Sequence, residues 1–314
     1  MSETSFDPIL PQHMHTLILG SAPGKRSLAT QQYYAHKGNA FWPLVFSFTK
    51  HVYTTNYEEK LALLTRKKIG LWDVFDQFVR EGSMDHQFQS VTLQPLATLF
   101  EEFPLSLVIL NGKTATKTYY TNLDSTRSQW LTLSCPSTSG ANNRQQQFRQ
   151  KQWFLAYQIS EQINVLAQKG YRLYFGHTPF IWSHVTHLRT EVFIQEQGIQ
   201  FNDEFDDLHT VDQFDYFLLM DHDTPLATLR FQTKDNQTIQ PDRFCVAQGV
   251  RNQGIGTILL SLYEHYGKFL GYSSSELVAE YQALEFYQKL GYHAIDAPHS
   301  VDNILCQTVI KSFD

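Results

Sequence analysis

The sequence predicts an α/β protein of two domains. Apolar strand-like runs alternate with amphipathic stretches along the whole chain, a pattern typical of mixed α/β architecture. At 314 residues, the chain is long enough for each half to bury its own core. A long polar-faced helical segment stops at Lys169-Gly170, and a new apolar run follows it. We therefore expect one domain at 1–168 and a second at 169–314.

Four apolar runs in the first half predict strands, and the amphipathic stretches between them predict helices. The predicted strands are Thr16–Leu19, Ile69–Leu71, Ser106–Leu110 and Trp130–Leu133. The predicted helices are Ala40–His51, Asn56–Thr65, Leu93–Glu102 and the long segment Gln145–Gln168. The main elements predicted in the second half are strands at Tyr171–Phe175 and Asp242–Val246 and a helix at Thr257–Phe269.

Composition and charge exclude several classes of protein. No apolar run is long enough to span a bilayer and residues 1–7 do not resemble a signal peptide, so we expect an intracellular, cytoplasmic protein. Cys135, Cys245 and Cys306 show no metal-ligand spacing, which predicts neither a metal site nor an iron–sulfur cluster. Residues 1–166 carry 15 Lys and Arg against 12 Asp and Glu, whereas residues 167–314 carry 10 against 19. The first half therefore suits a polyanion and the second an amine-bearing substrate, unless both charges only keep the surfaces soluble.

A glycine-bounded turn follows the first predicted strand. It consists of Gly20, Ser21, Ala22, Pro23 and Gly24. Two glycines and a proline after a strand make a tight turn in which backbone N–H groups can face a ligand. The segment Tyr33–Trp42 comes soon after and supplies aromatic rings, the imidazole of His36 and the amide of Asn39. These groups can hold a flat polar ring.

Both blocks resemble the uracil-DNA glycosylase superfamily, and most closely its hypoxanthine-DNA glycosylase branch. Three further blocks agree with that branch in order: Gly70–Val74 with its continuation through Arg80–Asp85, Leu110–Ala115, and Cys135–Asn142. The resemblance covers about half of the chain. It implies a three-layer α/β/α domain with a central, mostly parallel sheet, which acts on double-stranded DNA that contains a damaged base.

The same resemblance implies roles for individual side chains. Tyr34 is expected to stack on a flipped base, and Asn39 is the expected catalytic residue, which orients water and hydrogen-bonds the departing base. Capping of a helix that begins at Ala40 is the alternative role for Asn39. Asn111 is expected at the base edge and Lys113, with its helix start, at a phosphate. The loop expected to enter the minor groove contains Pro136, Ser137, Thr138, Ser139 and Asn142.

The residue at position 22 bears on the substrate. Mismatch-specific relatives have an asparagine, and other branches an acid, where this chain has Ala22; the hypoxanthine branch has an apolar residue. We therefore expect base-excision repair of hypoxanthine by hydrolysis of the N-glycosidic bond. Because an amide cannot take up a proton near neutral pH, the expected mechanism stabilises an oxocarbenium-like sugar electrostatically. Two alternatives stay open: removal of uracil or thymine from mismatches, and a non-catalytic DNA-binding module that localises the second half.

The second half contains a glycine-rich turn, Arg251-x-x-Gly254-x-Gly256, between a predicted strand and a predicted helix. Backbone N–H groups and the helix dipole can bind a pyrophosphate at such a turn. Together with Ala283–Tyr292 and Arg189–Gly198, the turn resembles the GCN5-related N-acetyltransferases (GNAT family). The resemblance implies a mixed α/β domain in which an amine attacks acetyl-CoA directly. The residues expected to bind this cosubstrate are Phe244, Cys245, Val246, Arg251, Asn252, Gln253, Gly254, Ile255, Gly256 and Thr257.

Tyr287 is the expected catalytic residue of the second half, as the proton donor to the departing thiolate; the alternative is a core tyrosine. The candidate general bases are Glu196, Glu280 and His265. Cys245 is expected to be a buried small residue, because this family needs no nucleophile. The acidic run Asp203–Asp207 either attracts a cationic acceptor or forms a solvated loop. A domain that has lost activity and senses a ligand stays an alternative.

Overall fold

The computed structural model divides into two compact units, Met1–Lys169 and Gly170–Asp314. It describes residues 2–81, 87–122, 128–205, 213–301 and 304–313. Two predicted segments extend beyond these ranges: residues 82–85 of the segment from Arg80 and residues 206–207 of the acidic run lie outside the described residues. Among the described helices, none combines the length and apolar character that crossing a bilayer requires.

The first unit is built on a parallel sheet of four strands in the order β3-β2-β6-β7 and a smaller antiparallel sheet in the order β1-β4-β5. Its strands are β1 Glu3–Thr4, β2 Thr16–Gly20, β3 Ile69–Asp73, β4 Phe75–Arg80, β5 Phe88–Leu93, β6 Leu107–Asn111 and β7 Leu131–Cys135. Its helices are α1 Lys25–Thr30, α2 Phe41–Phe48, α3 Tyr57–Arg66, α4 Leu96–Glu102, α5 Lys113–Asn122 and α6 Gln146–Gln168, which follows a 3-10 turn at Gly140–Gln145.

Strands β2, β3 and β6 are buried along their whole length, as expected for a parallel sheet that helices cover on both faces. On one face, Leu17 and Leu110 pack in a cluster with residues of α4 and α5. On the other face, Thr16 and Ser160 of α6 share a hydrogen bond of 2.9 Å between their hydroxyls. Helices therefore lie on both sides of the sheet, and the predicted fold class of this half is confirmed.

The predicted elements differ from the observed ones mainly at their ends and at β4 and β5. Leu93 belongs to β5 and not to a helix, and α4 begins only after Pro95. Strands β6 and β7 each extend beyond the predicted ends, to Asn111 and Cys135. The antiparallel sheet was not predicted, because most of β5 is exposed and lacks the buried apolar alternation that identifies a strand.

The second unit contains two sheets, in the orders β12-β10-β9-β8 and β11-β13-β16-β14, with β15 also paired to β16. Its strands are β8 Tyr171–Gly176, β9 Tyr216–Asp221, β10 Thr224–Arg230, β11 Thr238–Ile239, β12 Asp242–Val246, β13 Ser274–Glu280, β14 His293–Ala294, β15 His299–Val301 and β16 Ile304–Ser312. Its helices are α7 Pro179–Arg189, α8 Phe201–Glu204, α9 Ile255–Leu270 and α10 Leu284–Lys289, and a π-helical segment at Thr190–Glu196 follows α7. Strands β12 and β13 lie in different sheets, and the predicted mixed α/β class is confirmed.

A buried histidine connects α6 to the parallel sheet of the first unit. Nε2 of His15 lies 3.2 Å from Oδ1 of Asn164, and Nδ1 lies 2.9 Å from the hydroxyl of Thr16. Burial lowers the pKa of His15 below its usual 6.5, and the bond to Asn164 only partly opposes this. Between the lowered pKa of the folded state and the usual 6.5, the unfolded chain therefore binds more protons than the folded one. The contribution of the neutral His15 to the free energy of unfolding is complete above pH 6.5 and is lost as the pH falls below it.

We predict that His15→Gln flattens the pH dependence of the stability of the first unit. Between pH 7.5 and pH 5.5, the wild type should lose more free energy of unfolding than the variant, because only the wild type must protonate this buried ring. Urea titrations with hydrogen exchange of peptides covering 14–20 measure the difference. The control is His13→Gln, which changes an exposed histidine; equal pH dependence in H15Q and wild type would contradict the assignment.

Candidate active sites

The carboxyl ends of the four parallel strands bring separate parts of the first unit together. Gly20 pairs with Asp73 at the ends of β2 and β3, and Asn111 pairs with Cys135 at the ends of β6 and β7. Ligands of open parallel sheets bind outside this edge. The turn Gly20–Gly24 and the loop after Cys135 both start here, so the sheet places the two predicted blocks at one edge.

The side-chain amide of Asn111 joins the segment Tyr33–Trp42 to the loop after Cys135. Its Nδ2 donates hydrogen bonds to the hydroxyl of Tyr34 (3.0 Å) and to Oγ1 of Thr138 (2.9 Å). Its Oδ1 accepts a hydrogen bond from the backbone N–H of Thr138 at 2.9 Å. Both N–H groups of this buried amide are committed, so in this arrangement Asn111 holds Tyr34 and the loop and does not offer a donor to a base edge.

Backbone contacts also hold the loop after Cys135 against the segment Tyr33–Trp42. The N–H of Ala40 donates to the carbonyl oxygen of Thr138 at 2.8 Å. A Cβ added to Gly140 would lie 2.8 Å from the carbonyl oxygen of Gly38. The two backbone segments therefore approach more closely than a larger residue at position 140 would permit. Helix α6 holds the loop from behind, because Nε1 of Trp153 donates to the carbonyl oxygen of Pro136 at 2.9 Å.

Tyr34 is half-buried and supported by a second aromatic ring. It stacks on Phe41 with ring centroids 4.2 Å apart and planes inclined by 30°. Its backbone has a φ of 54°, a left-handed conformation that is uncommon for a bulky residue and that the surrounding contacts must maintain. The stacked pair and the Asn111 bond together hold the ring in one orientation.

The other predicted residues of the first block have local contacts. Oδ1 of Asn39 accepts a hydrogen bond from the N–H of Phe41, the first residue of α2, at 2.9 Å, although Ala40 and not Asn39 is the N-cap residue of this helix. The side chain of Asn39 is half-buried. His36 is exposed and accepts a hydrogen bond at Nδ1 from the N–H of Gly38. Lys113 is exposed at the first position of α5.

The turn after β2 is held by its neighbours. Nη2 of Arg80 donates to the carbonyl oxygen of Pro23 at 2.6 Å, and the Arg80 side chain is only 1% exposed. The carbonyl oxygens of Gly20 and Ser21 accept backbone hydrogen bonds from the segment that joins β3 to β4. Ala22 packs on the apolar cluster beneath the sheet. This residue therefore contributes an apolar surface and no polar group.

The glycine-rich turn of the second unit leads directly into α9. Asn252 and Gly254 have left-handed φ values of 63° and 79°, and α9 begins at Ile255. A Cβ on Gly256 would lie 3.4 Å from the ring of Phe244 and from Val246, so the helix passes close to β12. The first-turn N–H groups of a helix have no acceptor within the helix, which leaves them for an anion or water.

Arg251 connects this turn to two other elements. Its Nε donates to the carbonyl oxygen of Val246 at 3.0 Å, and its two terminal nitrogens lie 2.5 and 2.7 Å from the carboxylate oxygens of Glu196. These hydrogen bonds lower the pKa of Glu196. A carboxylate held in this way is a weak proton acceptor, which disfavours Glu196 as a general base.

The other candidate acids and bases have distinct environments. Tyr287 is buried, and burial raises its pKa well above the usual range, which keeps the hydroxyl protonated. Burial lowers the pKa of His265, whose Nδ1 lies 2.8 Å from the carbonyl oxygen of Ser261. Glu280 accepts a hydrogen bond from the amide of Gln282 at 2.7 Å.

Comparisons with known proteins give the same division of the chain. The model of the uracil DNA glycosylase superfamily matches residues 8–159, and that of the acetyltransferase (GNAT) family matches residues 182–292. A hypoxanthine DNA glycosylase of Methanosarcina barkeri is 36% identical over 50% of this chain and 99% of its own length. A Bacillus subtilis relative named as an acetyltransferase is 30% identical over 37% of this chain and 80% of its own length. The chain belongs to both families.

The first half is thus a glycosylase domain and the second an acetyltransferase domain, and both families are families of enzymes. Among solved structures, the solution structure of a Methanosarcina acetivorans protein described as a uracil DNA glycosylase is 36% identical. It covers 51% of this chain and 99% of its own length, with a TM-score of 0.46. The resemblances inferred from the sequence motifs are confirmed.

Two cysteines near these sites are unsuited to nucleophilic chemistry. Cys135 of the glycosylase domain and Cys245 of the acetyltransferase domain are both buried. Burial raises the pKa of each thiol well above its usual value, so the reactive thiolate is disfavoured. Both residues pack as small apolar side chains.

The acidic run of the acetyltransferase domain was interpreted wrongly at Glu204. This residue is 2% exposed and accepts a hydrogen bond from Nε of Arg189 at 2.5 Å. Arg243 lies 3.3 Å from its other carboxylate oxygen. Glu204 is therefore neither part of a solvated loop nor available to a cationic acceptor. No local pattern indicates this pairing, because Arg189 lies 15 residues away and Arg243 lies 39 residues away.

Asp73 is the residue of the glycosylase site that sequence reasoning missed. Its side chain is 2% exposed and stands at the end of β3, beside Gly20. A Cβ added to Gly20 would clash with Oδ1 of Asp73 and would lie 2.9 Å from the hydroxyl of Tyr34. The available signal was a carboxylate directly after a buried apolar run, at the strand end where parallel sheets place their sites.

We predict that Thr138→Val destabilises the glycosylase domain. The change keeps the shape of the side chain but removes the oxygen that accepts from the buried Asn111 amide. An unsatisfied buried donor costs about 1–3 kcal/mol, which should appear as a lower free energy of unfolding in urea. Thr114→Val, at a half-buried position of α5, is the control; wild-type stability of T138V would contradict the role given to this bond.

Proposed function

We propose that the glycosylase domain removes hypoxanthine from double-stranded DNA. Enzymes that act on a base of a duplex extract the base and hold it in a pocket, which requires a stacking surface and a segment to fill the gap. The observation that carries the proposal is the junction of Tyr34, Asn111 and Thr138. It supports one aromatic face and one loop, residues 136–142, at the same edge of the sheet.

Two observations favour hypoxanthine over uracil or thymine. Ala22 supplies no polar group to orient water or to bind a pyrimidine edge, and it packs on the apolar cluster beneath the turn. The relatives that match the glycosylase domain at 36% and 37% identity are both named as hypoxanthine DNA glycosylases. Removal of uracil or thymine from mismatches is the second candidate, and the same assay decides between them.

Asn39 is the proposed catalytic residue, and its contacts limit what it can do. The carbonyl oxygen of its side chain is committed to the N–H of Phe41, which leaves the NH₂ group as a donor. Such a donor can hold the departing base or an attacking water but cannot accept a proton. Stabilisation of an oxocarbenium-like sugar by fixed dipoles is the mechanism consistent with this chemistry.

We predict that Asn39→Ala abolishes most base release without unfolding the domain. Single-turnover assays on duplexes with hypoxanthine, uracil or a G·T mismatch should show release of hypoxanthine by the wild type and a loss of about 10²-fold or more in the variant. Asn56→Ala is the matched control, because it also removes an asparagine whose side chain accepts from N–H groups in the first turn of a helix, here α3. Equal losses in both variants would mean that Asn39 only caps, and duplex binding without any release would favour a DNA-binding module.

We propose further that the acetyltransferase domain binds acetyl-CoA at the turn Arg251–Gly256. Three features fit the cosubstrate: left-handed residues that turn the backbone N–H groups to one side, the N-terminus of the 16-residue α9, and the separation of β12 from β13. The first two suit a pyrophosphate, and the third leaves the backbone of β12 to hydrogen-bond an extended arm. Acetyl-CoA supplies an activated acetyl group for an amine acceptor.

Tyr287 is the proposed proton donor of this domain. Its hydroxyl stays protonated because burial raises its pKa, so it can hold the proton that a departing thiolate requires. The charge of Glu280 adds to this effect. Glu196 is held by Arg251 and is better suited to positioning the turn than to accepting a proton from the amine.

We predict that Tyr287→Phe lowers kcat for acetyl transfer by about 10²-fold and leaves KM for acetyl-CoA nearly unchanged, since only proton donation is lost. Thiol release in the presence of a panel of small amines and lysine peptides measures both constants. Tyr281→Phe is the control, because this tyrosine is 50% exposed and lies just before α10. A wild-type kcat in Y287F would show that Tyr287 is a core residue.

A further inference from the structure

We propose that Asp73 is a positioning residue for base release and that it acts through the hydroxyl of Tyr34. This inference rests on the proposed removal of a flipped base, because it concerns the ring on which that base would stack. Asp73 is the last residue of β3, and the other four residues of this strand are buried in the core. Its side chain is therefore an acidic group at the carboxyl end of the parallel strands.

Gly20 shows how closely the carboxylate and the hydroxyl approach each other. A single added carbon on Gly20 would collide with Oδ1 of Asp73 and would also lie 2.9 Å from the hydroxyl oxygen of Tyr34. Both oxygens therefore lie over the same α-carbon. The strand pairing of Gly20 with Asp73 places one oxygen, and the contacts of Tyr34 with Asn111 and Phe41 place the other.

The directions of the hydrogen bonds give Asp73 its role. The amide of Asn111 can only donate from Nδ2, so the oxygen of Tyr34 is the acceptor in their 3.0 Å contact. The O–H of Tyr34 must then be donated in another direction. A carboxyl oxygen can accept this bond, and Oδ1 of Asp73 lies beside Gly20, close to the hydroxyl. The resulting series of hydrogen bonds runs from the Asn111 amide through the Tyr34 hydroxyl to the Asp73 carboxylate.

Such a series of hydrogen bonds holds the Tyr34 hydroxyl from two sides. Neighbouring hydrogen bonds in such a series polarise and reinforce each other. The stacked ring of Phe41 limits tilting of the Tyr34 ring, and the hydrogen bonds limit its sliding. The ring is thus prepared for a base before DNA binds, which favours the reactive arrangement over other positions of the base.

A double-mutant cycle tests whether Asp73 acts through this hydroxyl. The variants are Asp73→Asn, Tyr34→Phe and the pair, assayed for release of hypoxanthine in a single turnover. We expect each single change to slow release by about 10-fold and the pair to be no slower than Y34F alone, because the carboxylate has no function once the hydroxyl is absent. Equal effects of D73N in both backgrounds would overturn the inference.

Two controls separate this role from general damage. Asp76→Asn changes a half-buried carboxylate on β4, which belongs to the antiparallel sheet, and Tyr53→Phe removes the hydroxyl of a tyrosine that is 49% exposed. Neither should slow release. Should D73N unfold the domain, Asp73→Ser replaces it in the cycle, since a smaller polar side chain removes the carboxylate without adding bulk beside Gly20. Its effect must likewise shrink in the Y34F background, and an undiminished effect would count against the inference.

A readout without catalysis keeps the inference separate from the proposed function. A 3-fluorotyrosine placed at position 34 of the full chain reports its surroundings through its ¹⁹F resonance. We expect D73N to shift or broaden this resonance and D76N to leave it unchanged. An unchanged resonance in D73N would overturn the inference even if hypoxanthine is released. A chain that releases no base but shows the shift would refute the proposed function and keep the link between Asp73 and Tyr34.

Discussion

The side-chain amide of Asn111 is the interaction on which the glycosylase site depends. It binds Tyr34, which lies 77 residues earlier, and Thr138, which lies 27 residues later. The parallel sheet brings these segments to one edge, but the sheet alone does not set the distance between them. The amide bridges them, and the close approach of Gly38 and Gly140 and the bond from Ala40 to Thr138 hold the same two segments together. The Tyr34 ring and the loop 136–142 are therefore held by one shared side chain.

The two domains use the same physical device in different ways. Each has a strand, a glycine-containing turn and a helix in this order. In the glycosylase domain the turn is held by Arg80 and presents the apolar Ala22. In the acetyltransferase domain the turn is held by Arg251, whose partner Glu196 ends a π-helical segment. A buried or paired arginine fixes the turn in both cases, and the ligand is selected by what surrounds it.

The fold class, both families and the segments that meet at the edge of the parallel sheet were predictable, because apolar periodicity and glycine spacing are local signals. Sequence reasoning did not reach the partners of individual side chains. The commitment of both N–H groups of Asn111, the burial of Glu204 and the place of Asp73 all depend on residues that are distant in the chain. Strand β5 is mostly exposed and lacks the apolar alternation that identifies a half-buried strand. Local patterns locate a site, whereas tertiary contacts assign its hydrogen bonds.

The central claim is that Tyr34 and the loop 136–142 together receive an extruded base. A crystal structure of the full chain with a duplex that carries non-hydrolysable 2′-fluoro-2′-deoxyinosine tests it most directly. We expect the hypoxanthine ring outside the helix and stacked on Tyr34, with the loop in the minor groove at the gap. A base that stays in the duplex, or that lies away from Tyr34, would contradict the account.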